Sequence, residues 1–143
     1  MNILSPYLVA ILLGWVVAQG LKYGFAVAKT GSLRQLRQLY LSGNMPSSHA
    51  ASVMALATVI GLKDGVESAV FAVAALFAAI VMYDAMMVRR SSGEQGNAIQ
   101  MLIKEQKSKV SLPRAAKGHT PLEVVVGAVL GACIGCVVFF ATI

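Results

Sequence analysis

"AVFAVAALFAAIVMYDAMMVRR", residues 69–90, begins with an unbroken apolar core from Ala69 to Tyr83 and closes on an aspartate followed by two adjacent arginines. Taken from about Val66 to Val88, the stretch meets the roughly 20 mainly apolar residues that a helix needs to cross a bilayer. Lipid offers the backbone no hydrogen bonds, so a segment that crosses it must satisfy its own polar groups as a helix. That reading decides the fold class, because the remainder of the chain must then be read in the same solvent.

Composition agrees: of 143 residues, 57% are hydrophobic and 13% charged, with mean hydropathy +0.73, against about 25% charged residues in an ordinary soluble domain. Three further stretches could cross or enter the bilayer: about Ile3 to Ala28, about Ser47 to Leu62 and about Thr120 to Ile143. The second, at about 16 residues, is short and needs support from its neighbours or a thinned bilayer. Nothing before Ile3 is positively charged and no small-residue cleavage site follows the first run. A retained span is therefore expected there, not a removable signal peptide. The expected fold is all-α: an integral membrane four-helix bundle, one domain over residues 1–143, with the lipid bilayer as partner and no nucleic-acid partner.

Charge is placed unevenly. Lys22, Lys29, Arg34 and Arg37 lie at or after the end of the first span, and Arg89, Arg90, Lys104, Lys107, Lys109, Arg114 and Lys117 lie between the third and fourth, leaving Lys63 alone in the other connection. With four spans both basic loops fall on one face, which the positive-inside rule assigns to the cytoplasm, with both termini outside. A phosphate site on that face would draw the same residues there, and so would anionic headgroups. The loop from about Thr30 to Asn44 carries leucines at 33, 36, 39 and 41 that suggest an amphipathic piece on the membrane surface. The loop from about Ser91 to Gly118 is expected to hold one or two helical turns around "AIQMLIKEQ".

In the fourth span Gly127, Gly131 and Gly135 repeat every four residues. That stripe allows close helix approach, either within the chain or between two copies of a homo-oligomer. Cys133 and Cys136 form a C-x-x-C on the same helix, and without a βαβ context they read as packing residues.

Both histidines stand at helix starts on the same face: His49 after Pro46, Ser47 and Ser48, and His119 in "GHTPLEVVVG". Helix N-termini offer unpaired N–H groups and a positive dipole end, so two of them together would cradle a phosphate. His119 and Glu123, four residues apart, share a helical face, where a carboxylate can fix the imidazole tautomer and leave the other nitrogen as nucleophile. Thr120, Pro121 and Glu123 equally fit a capping box, and the two roles are compatible. Asp84, within a span, should face the bundle interior with a partner, either Arg89 or Lys22. Arg89 and Arg90 otherwise serve as interfacial anchors, and Lys22 can snorkel to the headgroups. No Cys/His cluster suggests zinc and the few carboxylates form no magnesium site, so neither metal nor cofactor is expected.

"GNMPSSHAAS", "DAMMVRRSSGEQ" and "GHTPLEVVVGAVLG", in this order after a first span, resemble the divergent family of small membrane proteins related to type 2 phosphatidic acid phosphatase, acid phosphatases and vanadium-dependent haloperoxidases. The resemblance covers nearly the whole chain and implies a type 2 phosphatidic acid phosphatase-like bundle. In the broader superfamily the motifs are a lysine-and-arginine segment, P-S-G-H, and S-R followed by a histidine with an aspartate four residues on. "PSSH" matches with Ser48 in the glycine's place, making His49 the general acid. "HTPLE" matches with Glu123 in the aspartate's place, making His119 the nucleophile. The arginine of the third motif falls on Arg89 or Arg90 if the basic loop is an insertion, and Lys22, Lys29 and Arg34 are candidates for the first motif. Ser47 and Ser48 would complete the phosphate contacts.

The implied activity is metal-independent hydrolysis of a lipid phosphomonoester or diphosphate through a phosphohistidine, in a bacterial inner membrane. The competing reading is a non-catalytic membrane protein that binds an anionic headgroup or a partner through the same basic pocket.

Overall fold

The computed structural model describes residues 4–31, 45–113, 115 and 117–143. The surface piece expected from Leu33, Leu36, Leu39 and Leu41 lies outside the described residues, as do Arg34, Arg37 and Arg114. Among the described residues there is no strand. The elements in chain order are α1 (Pro6–Thr30), α2 (Ser48–Lys63), α3 (Ala69–Tyr83), a π-helical turn (Asp84–Val88), α4 (Arg89–Glu105) and α5 (Pro121–Ala141). Three helices are long and apolar enough to cross a membrane: α1, the continuous helix Ala69–Glu105, and α5.

Local chemistry sets the helix ends. Pro6 opens α1 in the first turn, and Gly31 closes it in the left-handed conformation (φ 66°), its N–H bonded to the Val27 carbonyl. Ser47 caps α2 by accepting from the Ala50 N–H, and Ser68 caps α3 by accepting from the Phe71 N–H at 3.1 Å. Thr120 and Glu123 form the full capping box of α5.

The 16 residues of α2 span only about 24 Å, and the longer helices compensate by surrounding it. Helices α1, α3 and α5 all pack against α2, and α1 also meets α5. The surfaces that make this possible are small. Helix α1 buries Ala10, Gly14, Ala18 and Lys22, one residue in every four along a single seam. Helix α5 buries Gly127, Gly131 and Gly135. A Cβ at 127 would overlap the Ser47 carbonyl, one at 131 the Ala51 carbonyl, and one at 135 would lie 2.6 Å from the Thr58 Cβ. The glycine stripe thus packs within the chain, against α2, and is not a free face for a second copy. The large apolar side chains point outward: Leu12, Trp15, Val73, Leu76, Phe77, Val129 and Phe140 are all exposed, as expected of a bundle facing hydrocarbon.

Polar contacts mark the two ends. At one end the Tyr7 hydroxyl donates to the Asp64 carboxylate at 2.8 Å and Lys63 Nζ donates to the Thr142 carbonyl at 3.4 Å, joining the start of α1 to the ends of α2 and α5. The opposite end holds the close of α1, the starts of α2 and α5 and the π turn.

One expectation fails. Residues 91–105 are not loop: α3 runs through the π turn into α4 without a break, giving one helix of 37 residues. "SSGEQGN" reads as loop because serine, glycine and asparagine favour turns. In the fold, Gly93 and Gly96 are the buried residues of α4, on the face shared by Gln100. The returning chain is fastened there: Gln100 Nε2 donates to the Pro113 carbonyl at 2.6 Å. A Cβ at Gly118 would come within 2.6 Å of the Arg90 backbone. These glycines accommodate tertiary contact that periodicity alone does not reveal.

Gly131→Ala should lower the stability of the purified protein by about 1–3 kcal/mol through overpacking against α2, read as a drop in the thermal midpoint in detergent. Cys133→Ala, on the exposed face of the same helix, should change it by less than about 0.5 kcal/mol.

Candidate phosphate site at the joined helix starts

The first turns of α2 and α5 are fastened to each other. The Ser47 N–H donates to the Glu123 carbonyl at 3.1 Å, and the Ser47 hydroxyl accepts from the Ala50 N–H at 3.4 Å. Ser47 has no accessible surface. This corrects the expectation that Ser47 contacts phosphate: its N–H is engaged and its hydroxyl caps α2. The N–H groups of Ser48 and His49, in the first turn, remain as the α2 donors that an anion could use.

His119 is buried, at 3% exposure, just before the cap of α5. Three bonds hold it in place. Its backbone N–H donates to the Ala85 carbonyl at 3.0 Å, its Nδ1 faces Glu123 Oε2 at 3.1 Å, and the same Oε2 accepts from the Thr120 N–H at 3.0 Å. Glu123 therefore caps the helix and orients the imidazole at once, and the two readings of its sequence position coexist. With the Nδ1–H donated to the carboxylate, Nε2 is left with its lone pair.

Around His119 lie Lys22, Arg89 and His49. Lys22 is buried at the end of the small-residue seam of α1, within Coulombic range of Glu123. Arg89 Nε donates to Asp84 Oδ2 at 2.6 Å, so of the two partners expected for Asp84, Arg89 and Lys22, it is Arg89 that pairs with it. His49 is exposed at the rim, and the charges of Arg89, His119, Lys22 and Asp84 all reach it. Arg90 is turned elsewhere: it pairs with Glu94 at 3.2 Å and is largely exposed. Of the two arginines, Arg89 is the one in the cluster.

Burial holds the His119 imidazole below its ordinary titration range. The Glu123 carboxylate pulls in the opposite direction, and Lys22 and Arg89 push with burial. The neutral ring is favoured near neutral pH. Beside this cluster a cavity of about 770 Å³ runs between the last turns of α1 and the start of α5, with Lys22, Phe25, Ala26, Lys29, Met45 and Glu123 among its lining residues.

Sequence reasoning reached His49, His119, Glu123, Lys22, Asp84 and Arg89. It missed Ala85, which contributes only a backbone carbonyl and has no side-chain signature. It also reached Lys29, which lines the cavity beside Lys22, and missed the cavity-lining Met45. Among the described residues no group of three or more His, Cys, Asp or Glu could hold a metal ion.

A helical membrane protein with paired helix starts, two histidines and a buried lysine at one end defines the class. The chain belongs to the divergent PAP2 family, whose sequence profile matches residues 3–134. It is 41% identical to the uncharacterized membrane protein YuiD of Bacillus subtilis (strain 168) over an alignment of 105 positions, covering 63% of this chain and 66% of that protein. No solved structure matches the chain.

Because folded His119 takes up its proton at lower pH than an unfolded histidine, the unfolded state binds more protons as pH falls below about 6.5. The stability contributed by this residue is full above that value and declines as pH drops through the folded value. The unfolding midpoint of the wild type should therefore fall on acidification below pH of about 6.5 more steeply than that of His119→Gln.

Proposed function

We propose that this protein is a metal-independent phosphohydrolase acting on a phosphomonoester or diphosphate carried by a lipid. The observation that supports this reading most directly is the part-buried His119–Glu123 pair beside two cations and a second histidine at two joined helix starts. Membership of the divergent PAP2 family supports the same chemistry. We further propose that this end of the bundle faces the cytoplasm of a bacterial cell, with both termini outside, as the basic residues around it favour.

In the proposed reaction, Nε2 of His119 attacks phosphorus while the bond to the leaving oxygen breaks, and Glu123 balances the positive charge that grows on the ring. His49, protonated, gives its proton to the leaving alkoxide. Water, deprotonated by His49, then attacks the phosphohistidine, releases inorganic phosphate and restores neutral His119. Lys22, Arg89 and the N–H groups of Ser48 and His49 hold the equatorial oxygens, where charge concentrates in the transition state. The cavity beside Lys22, with Phe25, Ala26 and Met45 in its wall, suits an amphiphilic leaving group.

Purified protein should release phosphate from members of a lipid-phosphate panel with a chelator present. His119→Ala should abolish turnover while leaving membrane insertion intact, and Glu123→Ala should reduce it by about 100- to 10,000-fold. Thr120→Ala, which removes only the cap, should cost about 1 kcal/mol of stability with turnover largely retained. Phosphate binding without turnover, undiminished in His119→Ala, would instead identify a non-catalytic binder of anionic headgroups. The acid limb of the kcat/KM profile should lie below the ordinary histidine range of about 6.5, because burial lowers the pH at which folded His119 gains its proton.

A further inference from the structure

The reaction above gives Asp84 no part, yet its carboxylate opens the one π-helical turn among the described residues. In an α-helix two residues five apart are rotated about 140° from each other. Asp84 and Arg89 would then face different neighbours. In the wider π turn the Arg89 N–H donates to the Asp84 carbonyl. The two side chains return to one side of the helix, where Arg89 Nε meets Asp84 Oδ2 at 2.6 Å. A second tie leaves the same turn: the Ala85 carbonyl accepts the backbone N–H of His119 at 3.0 Å. One widened turn holds the arginine by its side chain and the histidine by its main chain.

We infer that the π turn Asp84–Val88 is the joint that aims Arg89 and His119 at one phosphoryl group, with Asp84 as a positioning residue. The guanidinium is a rigid fork of five N–H donors. Fixing Nε on Asp84 leaves the four N–H groups of the two terminal nitrogens free and sets the plane in which they lie. Arg89 contributes to the fields felt by both His49 and His119, so its charge lies near the anion site. The pair is about two-fifths exposed on each side chain, and ion pairs of that kind add little to stability. Orientation accounts for the tie better than folding does, and Asp84 can be replaced without dismantling the bundle. The identity of the anion as a substrate phosphoryl group rests on the hydrolase reading, whereas the aiming of Arg89 does not depend on turnover.

The test is titration of purified protein in detergent with inorganic phosphate, alongside the lipid-phosphate assay. Asp84→Ala should weaken phosphate binding by about 10- to 100-fold, the range for losing an oriented charged hydrogen bond, with an unchanged thermal midpoint. Asp84→Asn keeps an oxygen that accepts from Nε without the charge, and it should bind phosphate within about threefold of wild type. If Asp84→Ala does not fold, Asp84→Leu, which fills the space and accepts nothing from Nε, takes its place in the comparison. Wild-type affinity in Asp84→Ala, or a loss in Asp84→Asn as large as in Asp84→Ala, overturns the joint. Wild-type protein that binds phosphate but hydrolyses no lipid phosphate overturns the hydrolase reading and leaves the joint standing. A wild type that binds no phosphate overturns both.

Discussion

The backbone bond from Ser47 to the Glu123 carbonyl is the contact on which the rest of this end of the molecule depends. It requires α5 to lie against α2 at backbone distance, and only a helix with no side chain at residues 127, 131 and 135 can do so. Hydrocarbon supplies no force to press helices together, so close packing of small residues is the means available. With α5 so placed, Glu123 can reach both the Thr120 N–H and the His119 ring. The architecture and the chemistry are thus set by the same three glycines.

Bringing two helix starts together concentrates positive potential, since each contributes roughly half a unit charge in unpaired N–H groups. Lys22 and Arg89 add two full charges to the same neighbourhood. Asp84 beside Arg89 and Glu123 beside His119 offset part of that charge. Part of the strain is relieved by keeping His119 neutral, as burial and both cations favour. The rest is what a bound anion would relieve, and this is the electrostatic argument for the proposed phosphate site. It also separates nucleophile from ligand, because a ring held neutral can attack phosphorus where a protonated one cannot.

Much of this arrangement was legible in the sequence, for identifiable reasons. Apolar runs give spans because the bilayer core has a fixed thickness, and the four-residue glycine repeat gave the packing stripe, though not which helix it would meet. His49 and His119 were readable because capping residues and prolines mark helix starts. Lys22 lies in register with Ala10, Gly14 and Ala18, so the seam that buries it was also present in the letters. What stayed hidden depends on tertiary contact. A π turn leaves no compositional trace, so the choice of Arg89 over Lys22 as the partner of Asp84 required the backbone. The helical state of residues 91–105 was obscured because Gly93 and Gly96 serve packing where turn statistics predict a break.

The elements that border the site bear on what could reach it. Lys22 is eight residues short of the end of α1 at Thr30, about 12 Å along the axis. On the other side α4 continues for 17 residues beyond the π turn, about 25 Å. Helix α2 packs against both α1 and α3, with His49 exposed at its first turn. A phosphate borne on a lipid resides near the boundary between headgroup and hydrocarbon. The α1–α5 cavity supplies such a molecule with an apolar wall in Phe25, Ala26 and Met45 and with cations in Lys22 and Lys29. That wall and those cations suit the lipid substrate of the proposed reaction on grounds independent of the family to which the chain belongs.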